Sequence, residues 1–144
     1  MVVNVVVDGD GDGDVAVNAP RNLRRHLADR KAILSFQKLD VYRCAVDLLS
    51  LCARIPGRVP KGFSGLTDQL RRAALSVPLN IAEAAGRSTE ADAARHYAIA
   101  RGSAMECAAI LDSLRILEVL DAAGHAQAIE LVARIVAMLT KLCR

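Results

Sequence analysis

Apolar residues recur with helical spacing over most of the chain beyond residue 38, and this periodicity constrains the fold more than any other feature. The clearest stretch alternates spacings of four and three residues: Val41, Ala45, Leu48, Cys52 and Ile55. Aromatic residues make up only 3% of the chain and Trp is absent, so the core must consist mainly of Ala, Leu, Val and Ile. This composition favours packed helices over a sheet. The 144 residues therefore predict one all-α domain.

Helix start and stop signals divide the pattern into an up-down four-helix bundle. The first helix is predicted to begin near Leu39 and to end before Pro56. Ser64 is expected to cap the second helix, and Gly86 to end it. Inside this helix, Pro78 is expected to cause a kink because it removes one backbone donor.

The third and fourth helices have their own capping residues. Ser88 and Thr89 precede the acidic residues Glu90 and Asp92, which is typical of a helix N-terminus capped by a hydroxyl, and the third helix is predicted to run to about Val119. Asp121 is expected to cap the fourth helix, which looks apolar nearly all round. A lone bundle exposes one side of each helix, so this apolar excess predicts contact between subunits.

The first 35 residues differ from this pattern and are predicted to form an N-terminal extension, with the bundle domain over residues 36–144. Residues 1–20 carry four Asp and no Lys or Arg, so the net charge of +3 conceals +7 over residues 21–144. Asp8, Asp10 and Asp12 resemble a calcium loop, but Ala19 stands where that loop needs Glu. A dinucleotide fingerprint at Gly11 and Gly13 conflicts with the alternating Asp residues. We expect an acidic disordered tail, followed by a basic linker or frayed helix.

Cysteine usage and the lack of a signal-peptide pattern predict a cytoplasmic protein without disulfides. The four cysteines lie within helical apolar patterns and form no Cys-x-x-Cys pair. No stretch is expected to span a membrane, because Glu130, Arg134 and Lys141 interrupt the most apolar one.

Polar side chains on the second helix fall within one sector of about 80° beside the apolar stripe. We call this set the polar seam: Gln69, Arg72, Ser76, Asn80 and Glu83. Arg101, Ser103 and Glu106 of the third helix are its expected partners. A hydrogen-bonded structural seam that fixes helix register is the favoured interpretation, and a ligand or nucleic-acid site is the alternative.

Arginines gather in the same region and form the candidate nucleic-acid-binding set: Arg71, Arg72, Arg87, Arg95 and Arg101. A guanidinium binds phosphate through a planar fork, so clustered arginines suit a polyanion. Ion pairing with neighbouring Glu and Asp residues is the alternative. The chain contains only two Tyr and two Phe, Tyr42, Tyr97, Phe36 and Phe63, which weakens any model based on splayed single-stranded bases. Sequence-tolerant binding to the RNA or DNA backbone is therefore the hypothesis.

Residue patterns that support catalysis are missing from the chain. It contains no Glu-x-x-His pair, His-Glu-x-x-His, phosphate-binding Gly-x-x-x-x-Gly-Lys motif or metal-spaced Cys/His cluster. His26, His96 and His125 lie far apart, and His96 is expected to be solvated. We therefore expect no enzymatic activity, no cofactor and no metal.

Three ordered segments resemble a known bacterial family. They are the segment of residues 36–45 (FQKLDVYRCA), that of residues 69–83 (QLRRAALSVPLNIAE) and that of residues 99–106 (IARGSAME). Together they are similar to the four-helix bundle proteins encoded in intervening sequences of large-subunit ribosomal RNA genes, over roughly residues 36–143.

The resemblance implies an up-down bundle that assembles as a homopentamer. A related protein is the accessory subunit of diversity-generating retroelements, which binds nucleic acid and a reverse transcriptase. The function expected here is thus a non-enzymatic, oligomeric RNA- or DNA-binding accessory protein. The alternative is a structural or protein–protein interaction module that does not bind nucleic acid. One departure from the family pattern is Ala84 after the Asn-Ile-Ala-Glu segment, which delays Gly to Gly86 and predicts a longer second helix with a left-handed stop.

Overall fold

The computed structural model describes residues 34–55 and 59–144. Four α-helices follow a 3₁₀ turn at Ser35–Lys38: α1 (Asp40–Arg54), α2 (Leu66–Ala85), α3 (Glu90–Ile116) and α4 (Ala122–Leu142). The described residues contain no strand. The predicted all-α four-helix fold is confirmed. The acidic repeat with its calcium-loop and dinucleotide alternatives, and almost all of the predicted extension, lie outside the described residues.

Each helix packs against its neighbours in chain order, and α1 also packs against α4, which closes the bundle. All four helices contribute large side chains to one core, and the fully buried ones are Leu48, Leu70, Ile81, Leu111, Leu114, Ile135 and Leu139. The 3₁₀ turn contacts α1 and α2. Since aliphatic side chains fill this core, the fold needs no large aromatic residue.

Two of the three predicted N-terminal caps are present. Thr89 Oγ1 accepts a hydrogen bond from the backbone N–H of Asp92 at 3.2 Å, and Asp121 Oδ1 accepts one from Gly124 at 2.7 Å. The prediction for Ser64 is wrong, because α2 begins one residue later, with Gly65 at the cap position and no side-chain cap. The α1–α2 connection fixes this start differently, since the backbone N–H of Leu66 donates to Phe63 O at 3.0 Å.

The C-terminal end of α2 matches the sequence reading in position but not in conformation. The helix continues through Pro78 and ends at Ala85, directly before Gly86. Gly86 has φ −92°, so the expected left-handed stop is absent there. A left-handed residue instead follows α3, where Glu118 has φ 57°.

The exposed side of α4, a helix predicted to be apolar nearly all round, carries few large side chains. Its outer flank presents small or charged residues: Ala126, Glu130, Ala133, Arg134 and Ala137. Apart from Leu142 at the end of α4, the large exposed apolar side chains within helices lie on α2 and α3. They are Leu75, Leu79, Ile99, Met105 and Ile116. The large exposed apolar side chains are therefore concentrated on α2 and α3, whereas the most apolar stretch of α4, only 28% of which is buried, exposes mainly small residues.

By length and composition alone, α4 is apolar enough to cross a membrane, the one such helix among the described residues. The prediction that no stretch spans a membrane stays a prediction, because length and composition alone do not decide it. In the bundle α4 packs on α1 and α3 and buries Leu131, Ile135 and Leu139. Core helices pass the same test of length and composition, so the test alone does not imply a span.

Candidate nucleic-acid interface

The central part of the polar seam forms a chain of hydrogen bonds between α2 and α3. Ser76 Oγ lies 2.9 Å from Ser103 Oγ. The Asn80 side-chain amide donates to the backbone oxygen of Ser76 at 2.9 Å and to its Oγ at 3.1 Å. Asn80 Oδ1 lies 3.3 Å from His96 Nδ1. These partly buried groups satisfy one another, which is the arrangement expected of a structural seam.

A second group of hydrogen bonds lies toward the start of α2. Gln69 Nε2 donates to Glu106 Oε1 at 2.5 Å, and Arg72 donates to Gln69 Oε1 at 2.6 Å. Gln69 thus connects a cation on its own helix to a carboxylate on α3. Both groups of bonds join residues on facing helices, so they favour one register of α2 against α3.

The remaining seam residues have different surroundings. Glu83 pairs with Arg87 beyond the end of α2 and makes no hydrogen bond to the described residues of α3. Arg101 does not join the seam with Ser103 and Glu106. It lies two residues before Ser103, which places the two side chains about 160° apart around α3. His96, which we expected to be solvated, does join the seam through Asn80. The sequence could have predicted this, because His96 stands seven residues before Ser103, two helical turns away on the same face of α3.

The five candidate arginines fall into two groups. Arg71 bonds Asp68 Oδ1 at 3.0 Å and the backbone oxygen of Ile55 at 3.1 Å, so it also holds the end of α1 against α2. Arg72 bonds Gln69, and Arg87 pairs with Glu83. Arg95 and Arg101 of α3 have no hydrogen bond or ion pair to the described residues. The structure therefore leaves two guanidinium groups of α3 available for a ligand.

Charge in the bundle is nearly balanced. Residues 21–33 carry five basic side chains and one Asp, so they hold +4 of the +7 found over residues 21–144. Residues 34–144 consequently have a net charge of +3. A polyanion would therefore be attracted to the bundle by the placement of individual arginines more than by a large overall charge.

The buried cysteines do not form a reactive site. Burial raises the pKa of Cys52 and of Cys107 to about 12, and it also raises the pKa of Cys44. Thiols with such raised pKa values stay protonated near neutral pH and are weak nucleophiles. The four cysteines are free, and the described residues contain no cluster of His, Cys, Asp and Glu suited to a metal ion.

Among the aromatic residues, only Phe63 is well exposed. Phe36 and Tyr42 pack edge to face with ring centroids 4.9 Å apart, and Tyr97 packs against the core. The Phe63 side chain, in the connection between α1 and α2, is 47% exposed. Sequence reasoning counted the ring but could not assign its exposure.

These observations define an all-helical bundle protein with a polar seam between α2 and α3 and with arginines at several positions on the same two helices. The family model of the 23S rRNA-intervening sequence protein matches residues 37–141. The chain belongs to this family, which confirms the resemblance found in the three sequence segments. A search of the curated proteins gave no match.

Proposed function

We propose that the protein is a non-enzymatic, homo-oligomeric bundle that binds the backbone of RNA or DNA through arginines of α2 and α3. Such a protein would act as an accessory to a nucleic-acid enzyme, for example a reverse transcriptase. The observation that carries the proposal is the pair Arg95 and Arg101, which lack partners among the described residues. An unpaired guanidinium can bind phosphate without first breaking an ion pair.

The binding test should use Arg95 and Arg101 rather than Arg71. The Arg71 side chain holds the Ile55 carbonyl, so its removal would disturb the bundle as well as the surface. We expect Arg95→Gln with Arg101→Gln to weaken binding to duplex RNA and to lower the slope of log affinity against log salt by up to about 0.9 per lost phosphate contact. Fluorescence anisotropy over a salt titration measures both quantities.

A matched control removes two charges elsewhere. Arg43→Gln with Arg134→Gln gives the same net charge, and these two exposed arginines lie on α1 and α4. We expect this variant to keep most of the affinity. An equal loss in both variants would show that only net charge matters and would contradict the proposed site. A wild-type protein that binds no RNA or DNA even at low salt would instead favour the protein–protein interaction module.

Exposed leucines of α2 support the oligomeric part of the proposal. Leu75 and Leu79 are 46% and 59% exposed, whereas Val77 between them is fully buried. The two leucines therefore point away from the core, one helical turn apart. Ile99 of α3 is 44% exposed and adds to the apolar surface of this helix pair. Burial against another copy would remove these side chains from water.

Sedimentation of two lysine variants tests this surface against α4. We expect the wild-type protein to be a pentamer and Leu79→Lys to dissociate, because a charge would enter the subunit contact. Ala137→Lys on the outer flank of α4 is the matched control and should leave the assembly intact. A wild-type monomer at micromolar concentration would contradict the oligomer, and dissociation by Ala137→Lys alone would place the contact on α4.

A further inference from the structure

The connection between α1 and α2 presents one aromatic ring among cations. We call this surface the α1–α2 corner and define it by Lys61, Phe63, Arg71 and Arg72. Phe63 is 47% exposed, and Lys61 and Arg72 are exposed as well. Asp68 is the only acidic residue between residues 59 and 72, and it pairs with Arg71.

Backbone hydrogen bonds hold Phe63 in place on both sides. Its N–H donates to Pro60 O at 3.1 Å, and its carbonyl accepts from Leu66, the first residue of α2, at 3.0 Å. Gly62 has φ 94°, a left-handed conformation that favours glycine. The ring is thus carried by a defined turn, so a ligand that binds it orders little additional chain.

The three cations of the corner lie within nine residues of Phe63 along the chain. Arg71 reaches across the corner to the carbonyl of Ile55 at the end of α1, and its side chain remains 38% exposed. Arg72 follows it on α2, and Lys61 lies two residues before Phe63. Lys61 has no ion pair with the described residues.

The neighbours of Phe63 distinguish a base-stacking surface from a protein-binding one. Val59 and Leu66 on either side pack against the core, so they add little to the exposed surface. The other exposed neighbours are Pro60, Gly62, Ser64 and Gly65. A protein-binding patch normally combines several large apolar side chains. A single exposed ring with adjacent cations instead matches a planar base and its phosphate.

We propose that the α1–α2 corner stacks one unpaired base of a single-stranded nucleic acid on Phe63, while Lys61, which has no ion pair with the described residues, binds a neighbouring phosphate. This inference rests on the proposed nucleic-acid function and adds a preference for single-stranded regions over duplex. The preference arises because bases in a duplex already stack on each other and cannot reach the ring without unpairing.

Phe63→Trp provides a direct measurement, since the chain contains no other Trp. Stacking by a base should quench the fluorescence of the new indole. We expect quenching by oligodeoxythymidine and none by an abasic oligomer of the same length, which has the same phosphates but no bases. Equal quenching by both oligomers would overturn the inference, because phosphate binding alone would then explain the signal.

Phe63→Ala tests the energetic effect in the natural surroundings. We expect a loss of affinity for oligodeoxythymidine of about 5- to 150-fold, the effect of removing one stacked base. Affinity for duplex and for the abasic oligomer should stay unchanged, as should the salt slope, because no charge is removed. Leu142→Ala is the control, as it truncates an exposed side chain at the opposite end of the bundle.

The outcomes separate this inference from the proposed function. If the wild-type protein binds all three probes and Phe63→Ala changes none of the affinities, the corner does not stack bases, but the backbone-binding function stands. If the wild-type protein binds none of the probes, both proposals fail. Unchanged thermal unfolding of Phe63→Ala, expected for an exposed side chain, verifies that a loss of binding is not a loss of fold.

Discussion

The hydrogen bond between Ser76 and Ser103 should couple α2 to α3 by about 1 kcal/mol, the usual net contribution of an intramolecular hydrogen bond. The two hydroxyls lie 2.9 Å apart and are partly buried. Ser76 Oγ also accepts from the Asn80 amide at 3.1 Å. A double-mutant cycle with Ser76→Ala and Ser103→Ala isolates the contact between the two serines from these other effects.

The expected magnitudes follow from what each substitution removes. Ser103→Ala breaks one hydrogen bond, at a cost of about 1 kcal/mol, but Ala is favoured over Ser in a helix by about 0.5 kcal/mol. Ser76→Ala also removes a bond to Asn80 and leaves the Ser103 hydroxyl unpaired, so we expect a net loss of about 1.5 kcal/mol. In the double variant the unpaired hydroxyl is gone, and the loss should be about 1 kcal/mol smaller than the sum of the two single losses.

Urea unfolding of the four proteins at one protein concentration measures the cycle, because the stability of an oligomer depends on concentration. Ser113→Ala is the matched control on α3. The Ser113 hydroxyl bonds only the carbonyl of Ala109 in its own helix, at 2.9 Å. We expect this variant to be neutral or slightly stabilised. Losses in the double variant that equal the sum of the single losses within about 0.5 kcal/mol would refute the role of the seam in holding the two helices together.

Three further predictions concern stability. Glu118 has φ 57° after α3, so Glu118→Gly should raise the free energy of unfolding by about 1 kcal/mol, and a lower midpoint of urea unfolding would contradict this. Gly62 has φ 94°, and a Cβ added there would meet no other atom, so Gly62→Ala should lower the free energy of unfolding by about 1 kcal/mol through backbone strain alone. An unchanged thermal midpoint would show that the turn adopts another backbone conformation without cost. Burial raises the pKa of Cys52 and Cys107 from 9.0 to about 12, so the unfolded chain loses these protons first as pH rises. The stability that the protonated thiols provide is complete below pH 9 and should be lost between pH 9 and 12, by up to about 1.4 kcal/mol per pH unit for each thiol. In Cys107→Ala, the free energy of unfolding should fall with pH about half as steeply as in the wild-type protein, because one of the two buried thiols is gone. Urea unfolding at several pH values measures this slope, and a slope equal to that of the wild-type protein would contradict the role of Cys107.

Helix positions could be read from the sequence because local chemistry determines them. Thr89 and Asp121 have side-chain oxygens at the right distance from the following N–H groups, so their caps were recognisable without tertiary information. The start of α2 could not be recognised in this way. Ser64 is a suitable cap by residue type, but the chain instead forms a turn in which the Phe63 carbonyl accepts a hydrogen bond from the N–H of Leu66. Only the path of the whole connection decides between the two.

The polar seam was predictable as a set but not as a network. Helical spacing places Ser76 and Asn80 on one face of α2, and residue types suggest that they bond each other or α3. Which residue of α3 meets which residue of α2 depends on the register of two packed helices. That register brings His96 to Asn80, and it leaves Arg101 without a hydrogen bond to the seam residues. A single helix in isolation does not contain this information.

The location of the apolar excess shows the same limit and has a consequence for assembly. The predicted apolar surface of α4 was read from its Ile, Leu, Val and Met residues, most of which the bundle buries or half-buries, and its outer flank carries the small residues Ala126, Ala133 and Ala137. The large exposed side chains lie elsewhere, and Ile99 and Met105 of α3 are six residues apart, or about 120° around the helix. Apolar side chains that face in two directions suit contacts between two different surfaces of neighbouring copies. Such contacts close into a ring when the rotation between copies permits it, whereas a two-fold dimer needs only one self-complementary surface. Two such surfaces on α2 and α3 would suit the cyclic assembly proposed above, and the Leu79→Lys and Ala137→Lys variants test whether α2 or α4 contributes the contact.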